Sequence, residues 1–393
     1  MEQGGKEFIF RVIYKKRQGQ RQGQAIAFKC FIAIVATVLL SLSAAVFFIG
    51  RTEPVFAAGS SYIAMEQTSN RVLYGSNIHA PLPMASTTKI MTAIVAIENN
   101  DIAKKIKIPK GAVGIEGSSI YLKENEEMTV EDLLYGLMLM SGNDSAAALA
   151  IITAGGIDKF SLMMNKKAAD IGAKNTNFVN PHGLHDAAHY TSAYDLALIT
   201  AYGLNNPIFK RIVSAEKYTI KDTGGGTGAR YFNNKNKMLR MYAGADGVKT
   251  GYTKVSGRCL VSSAKRDDMQ VVTVVLNHPD MWNDSMSLLN RSFENYKMTK
   301  ILSAEQSVAV PISDGTKNCV SASPKERYYP LSASENISYE YDVKKLKAPV
   351  KKGDYAGKIK INIDNHLLFE EKMYTIDSVK EKGVLDHFRG LFD

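Results

Sequence analysis

Ser86-Thr87-Thr88-Lys89 places a hydroxyl three residues ahead of an amine, the spacing that sets two side chains on one face of a helix. A lysine packed there among apolar neighbours loses its proton more readily, because burial disfavours the ammonium form. A neutral Lys89 could take the proton of the Ser86 hydroxyl and turn it into a nucleophile. With Ser86 opening a helix, its own N–H points outward and can help hold an oxyanion. Ser141-Gly142-Asn143 adds a hydroxyl suited to relaying a proton toward a leaving amine, and an amide suited to fixing a substrate backbone. Lys249-Thr250-Gly251 offers a positive charge and a hydroxyl to a carboxylate. Its glycine leaves room for a substrate to lie along a strand edge. The N–H of Tyr252, just beyond, is the candidate for a second oxyanion donor. Each motif alone has an ordinary reading: a helix cap before a surface lysine, a helix-to-helix turn, a strand end. Together, in this order, they describe acyl transfer.

The elements that must position these groups are legible in outline. Ser61-Tyr62-Ile63-Ala64-Met65-Glu66 and Arg71-Val72-Leu73-Tyr74 flank a Thr-Ser-Asn turn and predict a hairpin. Ile90, Ile94 and Ile97 carry the helical period after Ser86. Thr129-Val130-Glu131-Asp132 predicts a capping box opening a helix through Met140. An alanine-rich helix is expected from near Asp144, which puts Ser141 and Asn143 in the loop between two helices. Residues 155–240 are mixed, broken by Gly, Asn and Pro. Strands return at Cys259–Ser262 and Gln270–Leu276, and Lys249-Thr250-Gly251 is expected just ahead of a strand. A helix carrying Met286, Leu289 and Phe293 follows. Strands at both ends with helices between predict an α+β domain over residues 58–298, its antiparallel sheet joining the first and last strands. From about residue 303 the pattern alternates, as in Ile337, Tyr339, Tyr341 and Val343 and in 358–364. It predicts a small all-β sandwich over 303–378. Residues 379–393 set Val384, Leu385, Phe388, Leu391 and Phe392 on one face of a short amphipathic tail, which could touch membrane or dock on its own domain.

The three motifs, separated by 55 and 108 residues, form the set shared by penicillin-binding proteins and class A β-lactamases. Here glycine stands at 142, where the usual middle motif has aspartate. The chain resembles the low-molecular-mass penicillin-binding proteins, the serine D-Ala-D-Ala carboxypeptidases. The likeness extends to Asn180-Pro181-His182-Gly183-Leu184, to 189–196, to Asn234-Lys235-Asn236, to 246–253 and to 348–353. It implies a β-lactamase/DD-peptidase-like catalytic domain followed by a β domain. It also implies an acylated Ser86, Lys89 as base, Ser141 and Asn143 assisting, and Lys249 and Thr250 recognising a terminal carboxylate. The implied substrate is a peptidoglycan stem peptide ending in D-Ala-D-Ala, and β-lactams are the implied covalent inhibitors. No cofactor, metal or nucleic acid is implied. His182, His189 and Asp195 are read as structural, since the Ser86–Lys89 pair already supplies a base. Many relatives have an arginine near position 282, where this chain has Trp282, which bears on carboxylate binding.

Two rival readings frame that expectation. A β-lactamase uses the same motifs but needs a base to hydrolyse the penicilloyl ester, usually a glutamate in an ExxLN-type loop. No such motif lies between 144 and 248, so a long-lived adduct on Ser86 is expected. A non-catalytic wall-binding scaffold has no reason to keep Lys89. The run Gly224-Gly225-Gly226-Thr227-Gly228 lacks the Lys-Ser/Thr pair of a phosphate loop and is read as a flexible loop.

Charge and hydropathy locate the protein. Residues 1–29 hold seven basic side chains against two acidic, half of the net charge of +10. Cys30 to Gly50 carries no charge, and its twenty-one residues span about 31 Å as a helix, the thickness of bilayer hydrocarbon. Residues 1–57 are therefore an export signal, with Val55-Phe56-Ala57 suited to cleavage before Ala58, or an uncleaved anchor. Either delivers the rest to the outer face of the cytoplasmic membrane, toward the cell wall. Of the three cysteines, Cys259 and Cys319 are read as two lone buried thiols, with a disulfide as the alternative.

Overall fold

The computed structural model describes residues 59–221 and 228–383. The basic leader and apolar run, Cys30 among them, lie outside the described residues, as do 224–227 of the glycine run and the tail from residue 384.

The expected hairpin is formed by β1 (Ser61–Glu66) and β2 (Val72–Ser76). Helix α1 (Lys89–Asn99) follows. Strands β3 (Lys105–Lys107) and β4 (Glu127–Thr129) make a small ribbon. Next come α2 (Val130–Leu139), α3 (Asn143–Ala154), α4 (Ile157–Ile171), α5 (Ala193–Leu204) and α6 (Pro207–Ser214). A second ribbon, β5 (Lys217–Ile220) with β6 (Arg230–Asn233), leads to the short α7 (Met238–Met241). Strands β7 (Ala245–Thr253), β8 (Gly257–Arg266) and β9 (Met269–Leu276) and helix α8 (Met281–Asn295) complete this part.

The main sheet is antiparallel in the order β2-β1-β9-β8-β7. First and last strands thus join, as the pattern of a split α+β domain requires. Strand β9 is buried along its whole length, because both faces are covered. Successive side chains of a strand point to opposite faces, and here they serve two cores. Val272, Val274 and Leu276 join the helical layer, together with Ile63, Met65, Cys259 and Val261. Val271 and Val275 join the face covered by α8, together with Ala64, Leu260, Leu288 and Leu289. Helix α1 runs through the first core with every residue from Lys89 to Ile97 buried, so it has no polar face to offer water. Its neighbour α2 starts at the expected capping box. The Thr129 hydroxyl accepts from the Asp132 N–H at 3.0 Å, and the Asp132 carboxylate accepts from the Thr129 N–H at 3.0 Å.

Beyond α8 the described residues form strands, with one 3₁₀ turn at Ala304–Gln306. Strands β10 (Tyr296–Leu302), β11 (Val308–Ser313), β12 (Cys319–Pro324), β13 (Arg327–Ser332), β14 (Ile337–Val343), β15 (Leu346–Lys347), β16 (Tyr355–Ile363) and β17 (His366–Thr375) follow. Six form a sheet ordered β14-β16-β17-β12-β11-β15, and β10 pairs with β13. Ile301 and Leu302 of the ribbon share one core with Val310, Ala322, Ile359, Ile361 and Met373 of the sheet. Arg71, at the turn of the first hairpin, reaches into this region. It pairs with Glu335, donates to the Pro330 carbonyl and lies against the rings of Tyr296 and Tyr329.

Two local expectations are corrected. Lys249-Thr250-Gly251 lies within β7, not ahead of a strand. A register shift between Ala245 and Gly247 lets the chain enter the strand early, with Gly247 at φ 146°. Cys259 is buried, but Cys319 is exposed at the first position of β12, and both are free thiols.

Candidate active site

The segment around Ser86 is a single 3₁₀ turn, Ala85–Thr88, and Lys89 is the first residue of α1. Ser86 therefore lies one turn before the α-helix and does not open it. In a 3₁₀ turn, side chains three apart eclipse, which brings the Lys89 amine to 3.1 Å from Ser86 Oγ. The turn is held from below. Ala85 has φ 48°, a left-handed conformation that a non-glycine residue keeps only under external constraint. Thr87 Oγ1 donates to the Met84 carbonyl at 2.6 Å and Thr88 Oγ1 to the Ala85 carbonyl at 2.8 Å. His189 buttresses Thr88: its Nδ1 accepts from the Val179 N–H at 3.0 Å, so its Nε2 carries the proton and faces Thr88 Oγ1 at 2.7 Å. Burial pushes the His189 imidazole down to about 4, consistent with that neutral tautomer. Gly183, at φ 86°, is required because a Cβ there would fall on the Ala85 carbonyl.

Lys89 is fully buried. Its Nζ also lies 2.7 Å from Asn143 Oδ1 and 2.6 Å from the His182 carbonyl. Burial, then the nearby charges of Lys249 and Lys235, hold its pKa well below the ordinary lysine value, while Asp144 opposes them. The His182 imidazole is itself lowered to about 4, by burial first and then by Lys89.

Ser141 occupies the α2–α3 connection at φ 64° and is nearly buried. Asn143 is the first residue of α3. A Cβ at Gly142 would come within 2.8 Å of Asp144 Oδ1 and of Ser145 Oγ, so glycine at this point of the motif has a steric reason.

Strand β7 is the free edge of the main sheet. Lys249 is buried within it, its Nζ donating to the Thr250 carbonyl at 3.0 Å. Burial, and Lys235 after it, bring Lys249 down to about 7. Gly251 runs against the Ser86 turn: a Cβ there would lie 3.1 Å from Ser86 N, from the Met84 carbonyl oxygen and from Ala85 Cβ. Thr250 is half-buried and Tyr252 is exposed on the same edge.

The structure thus draws Ser86, Lys89 and Asn143 into one hydrogen-bonded group and packs Gly251 against it, with Lys249 close enough to repel Lys89. Trp282 packs into the apolar core under α8. Sequence reasoning missed the His182 carbonyl, the buttress by His189, and the loop at 116–122 that bonds to Asn143 and Asp144. It also gave Lys235 no role. The Asn180-Pro181-His182-Gly183 turn was a visible signal for the first. The loop residues Glu116-Gly117-Ser118-Ser119 carried none, since backbone carbonyls do not show in a sequence.

Residues 50–280 match the family of D-alanyl-D-alanine carboxypeptidase peptidases, and 296–381 match the C-terminal domain of penicillin-binding protein 5. The chain is 33% identical over 359 residues to the D-alanyl-D-alanine carboxypeptidase DacF of Bacillus subtilis, covering 85% of this chain and 89% of that one. It is 29% identical over 371 residues to DacA of Haemophilus influenzae, covering 90% and 93%. The crystal structure of penicillin-binding protein 5 from Haemophilus influenzae superimposes with a TM-score of 0.72 at 29% identity, over 84% of this chain and 100% of that one. The chain belongs to the serine D-alanyl-D-alanine carboxypeptidases, the low-molecular-mass penicillin-binding proteins.

Proposed function

We propose that this D-alanyl-D-alanine carboxypeptidase works through an acyl-enzyme on Ser86, with Lys89 as its base. One observation carries the assignment. A neutral amine has two N–H donors and one lone pair. The Asn143 and His182 carbonyl oxygens use both donors, so the lone pair is left for the Ser86 hydroxyl at 3.1 Å. Burial lowers the pKa of this amine and so favours the neutral form that a base requires.

In the proposed cycle Ser86 Oγ attacks the carbonyl between the two terminal D-alanines as its proton passes to Lys89. The oxyanion is held by the N–H groups of Ser86 and Tyr252. Collapse breaks the C–N bond, and the departing amine receives a proton from Lys89 through the Ser141 hydroxyl. Water then hydrolyses the ester and releases the shortened stem peptide. Asn143 keeps one amide N–H for the substrate backbone. Lys249 and Thr250 take the terminal carboxylate, and Gly251 admits the peptide alongside the edge of β7. A β-lactam acylates the same serine, and without a glutamate placed to activate water the adduct persists. The substrate places the enzyme outside the cytoplasm. We assign residues 58–298 to catalysis and 303–378 to a β domain that holds it at the wall, with membrane attachment through 30–50 or the tail.

The test is D-alanine release from a peptide ending in Lys-D-Ala-D-Ala, by the protein and its Ser86→Ala variant. Release by the parent alone supports the assignment. Release by both rejects Ser86, and release by neither, from folded protein, favours a wall-binding scaffold.

A further inference from the structure

Asp144 is a carboxylate with 1% of its surface exposed, and no step above uses it. No cation pairs with it among the described residues. It is satisfied instead by one short stretch of chain. Its Oδ2 accepts from Ser119 Oγ at 2.6 Å, from Ile120 N at 3.0 Å and from Leu122 N at 3.1 Å, and its Oδ1 from Ser145 N at 2.9 Å. A buried carboxylate is retained at such cost only when its acceptor sites are filled. The stretch it holds is the one that Asn143 leans on. Asn143 N–H donates to the Ser118 carbonyl at 2.7 Å, and its side-chain amide donates to the Glu116 carbonyl. That amide presents Oδ1 to Lys89. The end of the loop that Asn143 leans on is exposed at 116–118, with Gly117 at positive φ, whereas its far end is also anchored by Ile120 and Leu122 in the core and by Arg230, which donates to the Tyr121 carbonyl at 3.1 Å.

We propose that Asp144 is a positioning residue for acylation: its carboxylate ties loop 116–122 to the start of α3, and the loop fixes the Asn143 amide against Lys89. The inference rests on Lys89 acting as base. Two consequences separate it from a merely structural role. The first is geometric. Asparagine at 144 supplies one acceptor oxygen in place of two, so the loop loses bonds, the amide wanders and the amine is no longer aimed at Ser86. Misplacement on the scale of an ångström costs about 100-fold in rate. The second is electrostatic. The charged groups facing Lys89 are Lys249 from β7, Lys235 from the segment before α7, and Asp144 from α3, with neutral His182 opposite. Asp144 is the negative member, and it favours the ammonium form. Removing it makes Lys89 easier to deprotonate, so the acid limb of acylation moves to lower pH.

The experiment is the pH profile of acylation by a fluorescent penicillin in the parent, Asp144→Asn and Ser119→Ala proteins. Asp144→Asn is expected to acylate about 10- to 100-fold more slowly at its optimum, with the acid limb displaced downward. Ser119→Ala keeps the charge and loses one donor to it, so it slows a few-fold with the limb unmoved. Parent-like rate and limb in Asp144→Asn would overturn the proposal. If that variant does not fold, a parent-like rate in Ser119→Ala overturns it. Failure of the parent itself to label at Ser86 would instead overturn the assignment of the nucleophile.

Discussion

Up to α8 the interior holds Lys89, Lys249, Asp144, Asp195, His182 and His189. From β10 onward the buried polar side chains among the described residues are Asn362 and Thr375. The charges of the β region stand outside instead, in exposed pairs such as Lys358–Glu370 and Lys300–Glu326. Burying an ionisable group is costly and shifts its pKa, so a fold keeps such groups where they are used. Surface pairs contribute at most about 1 kcal/mol each and carry no comparable cost. The contrast separates a part built for chemistry from a part built for packing and contact.

Substitutions at the nucleophile and base should show the contrast most sharply. Ser86→Ala should remove penicillin labelling and D-alanine release altogether. Lys89→Ala should lower the acylation rate by about 100- to 10,000-fold, the usual worth of a general base, with circular dichroism unchanged. A Lys89→Ala protein that labels at nearly the parent rate would show that the buried amine is not the base. It would also empty the comparison of meaning, since a fully buried amine would then have no use.

How far these groups could be read from sequence differs between the same two regions. The β region was legible as a fold because alternation reports which side of β16 faces the core through Ile359 and Ile361, until the bulge after Ile361 turns Asn362 inward in place of Ile363. In the catalytic region Thr129 and Asp132 announced α2, and the three motifs named Ser86, Lys89, Asn143 and Lys249. What stayed hidden was made by chain from elsewhere. The His182 carbonyl reaches Lys89 from 93 residues away, and the loop at 116–122 reaches α3 through backbone groups. Neither leaves a periodic mark. The 3₁₀ turn at Ser86 was missed for a related reason: the period of Ile90, Ile94 and Ile97 marks the helix but not where it starts, and the groups packed on the turn, Gly183 and His189, come from far along the chain.

The next effect is on pH dependence. In the proposed role Lys249 holds the substrate carboxylate as its ammonium form, and burial, with Lys235 after it, brings it down to about 7. Rising pH through that value should therefore raise KM and lower kcat/KM. The limb in kcat should lie higher, because bound carboxylate favours the ammonium. Lys235 is exposed and repels both buried lysines. Lys235→Ala removes a like charge from each, so both ammonium forms become easier to keep and both limbs of kcat/KM should move to higher pH. The limbs belong to the coupled pair and should move together. If only one moved, the two lysines would not share the field that the buried site implies.

The smallest effect concerns the contact between the regions. Arg71 leaves the first hairpin to pair with Glu335 and the Pro330 carbonyl, between two tyrosine rings. Arg71→Ala should cost about 2 kcal/mol, the scale of a hydrogen-bonded charge, and lower Tm by roughly 2–6 °C. Burial alone would raise the Glu335 carboxyl, but the Arg71 hydrogen bond, with the Ser332 N–H, holds it below its ordinary 4.5. A depressed carboxylate stabilises above its unfolded pKa and loses that contribution as pH falls through the folded one. The difference in Tm between Arg71→Ala and the parent should accordingly shrink below about pH 4. Acylation should stay within twofold of the parent, because no group at the Ser86 turn contacts Arg71. A large loss of acylation in this variant would mean that the β region helps to shape the catalytic cleft, and the division between chemistry and packing would have to be redrawn.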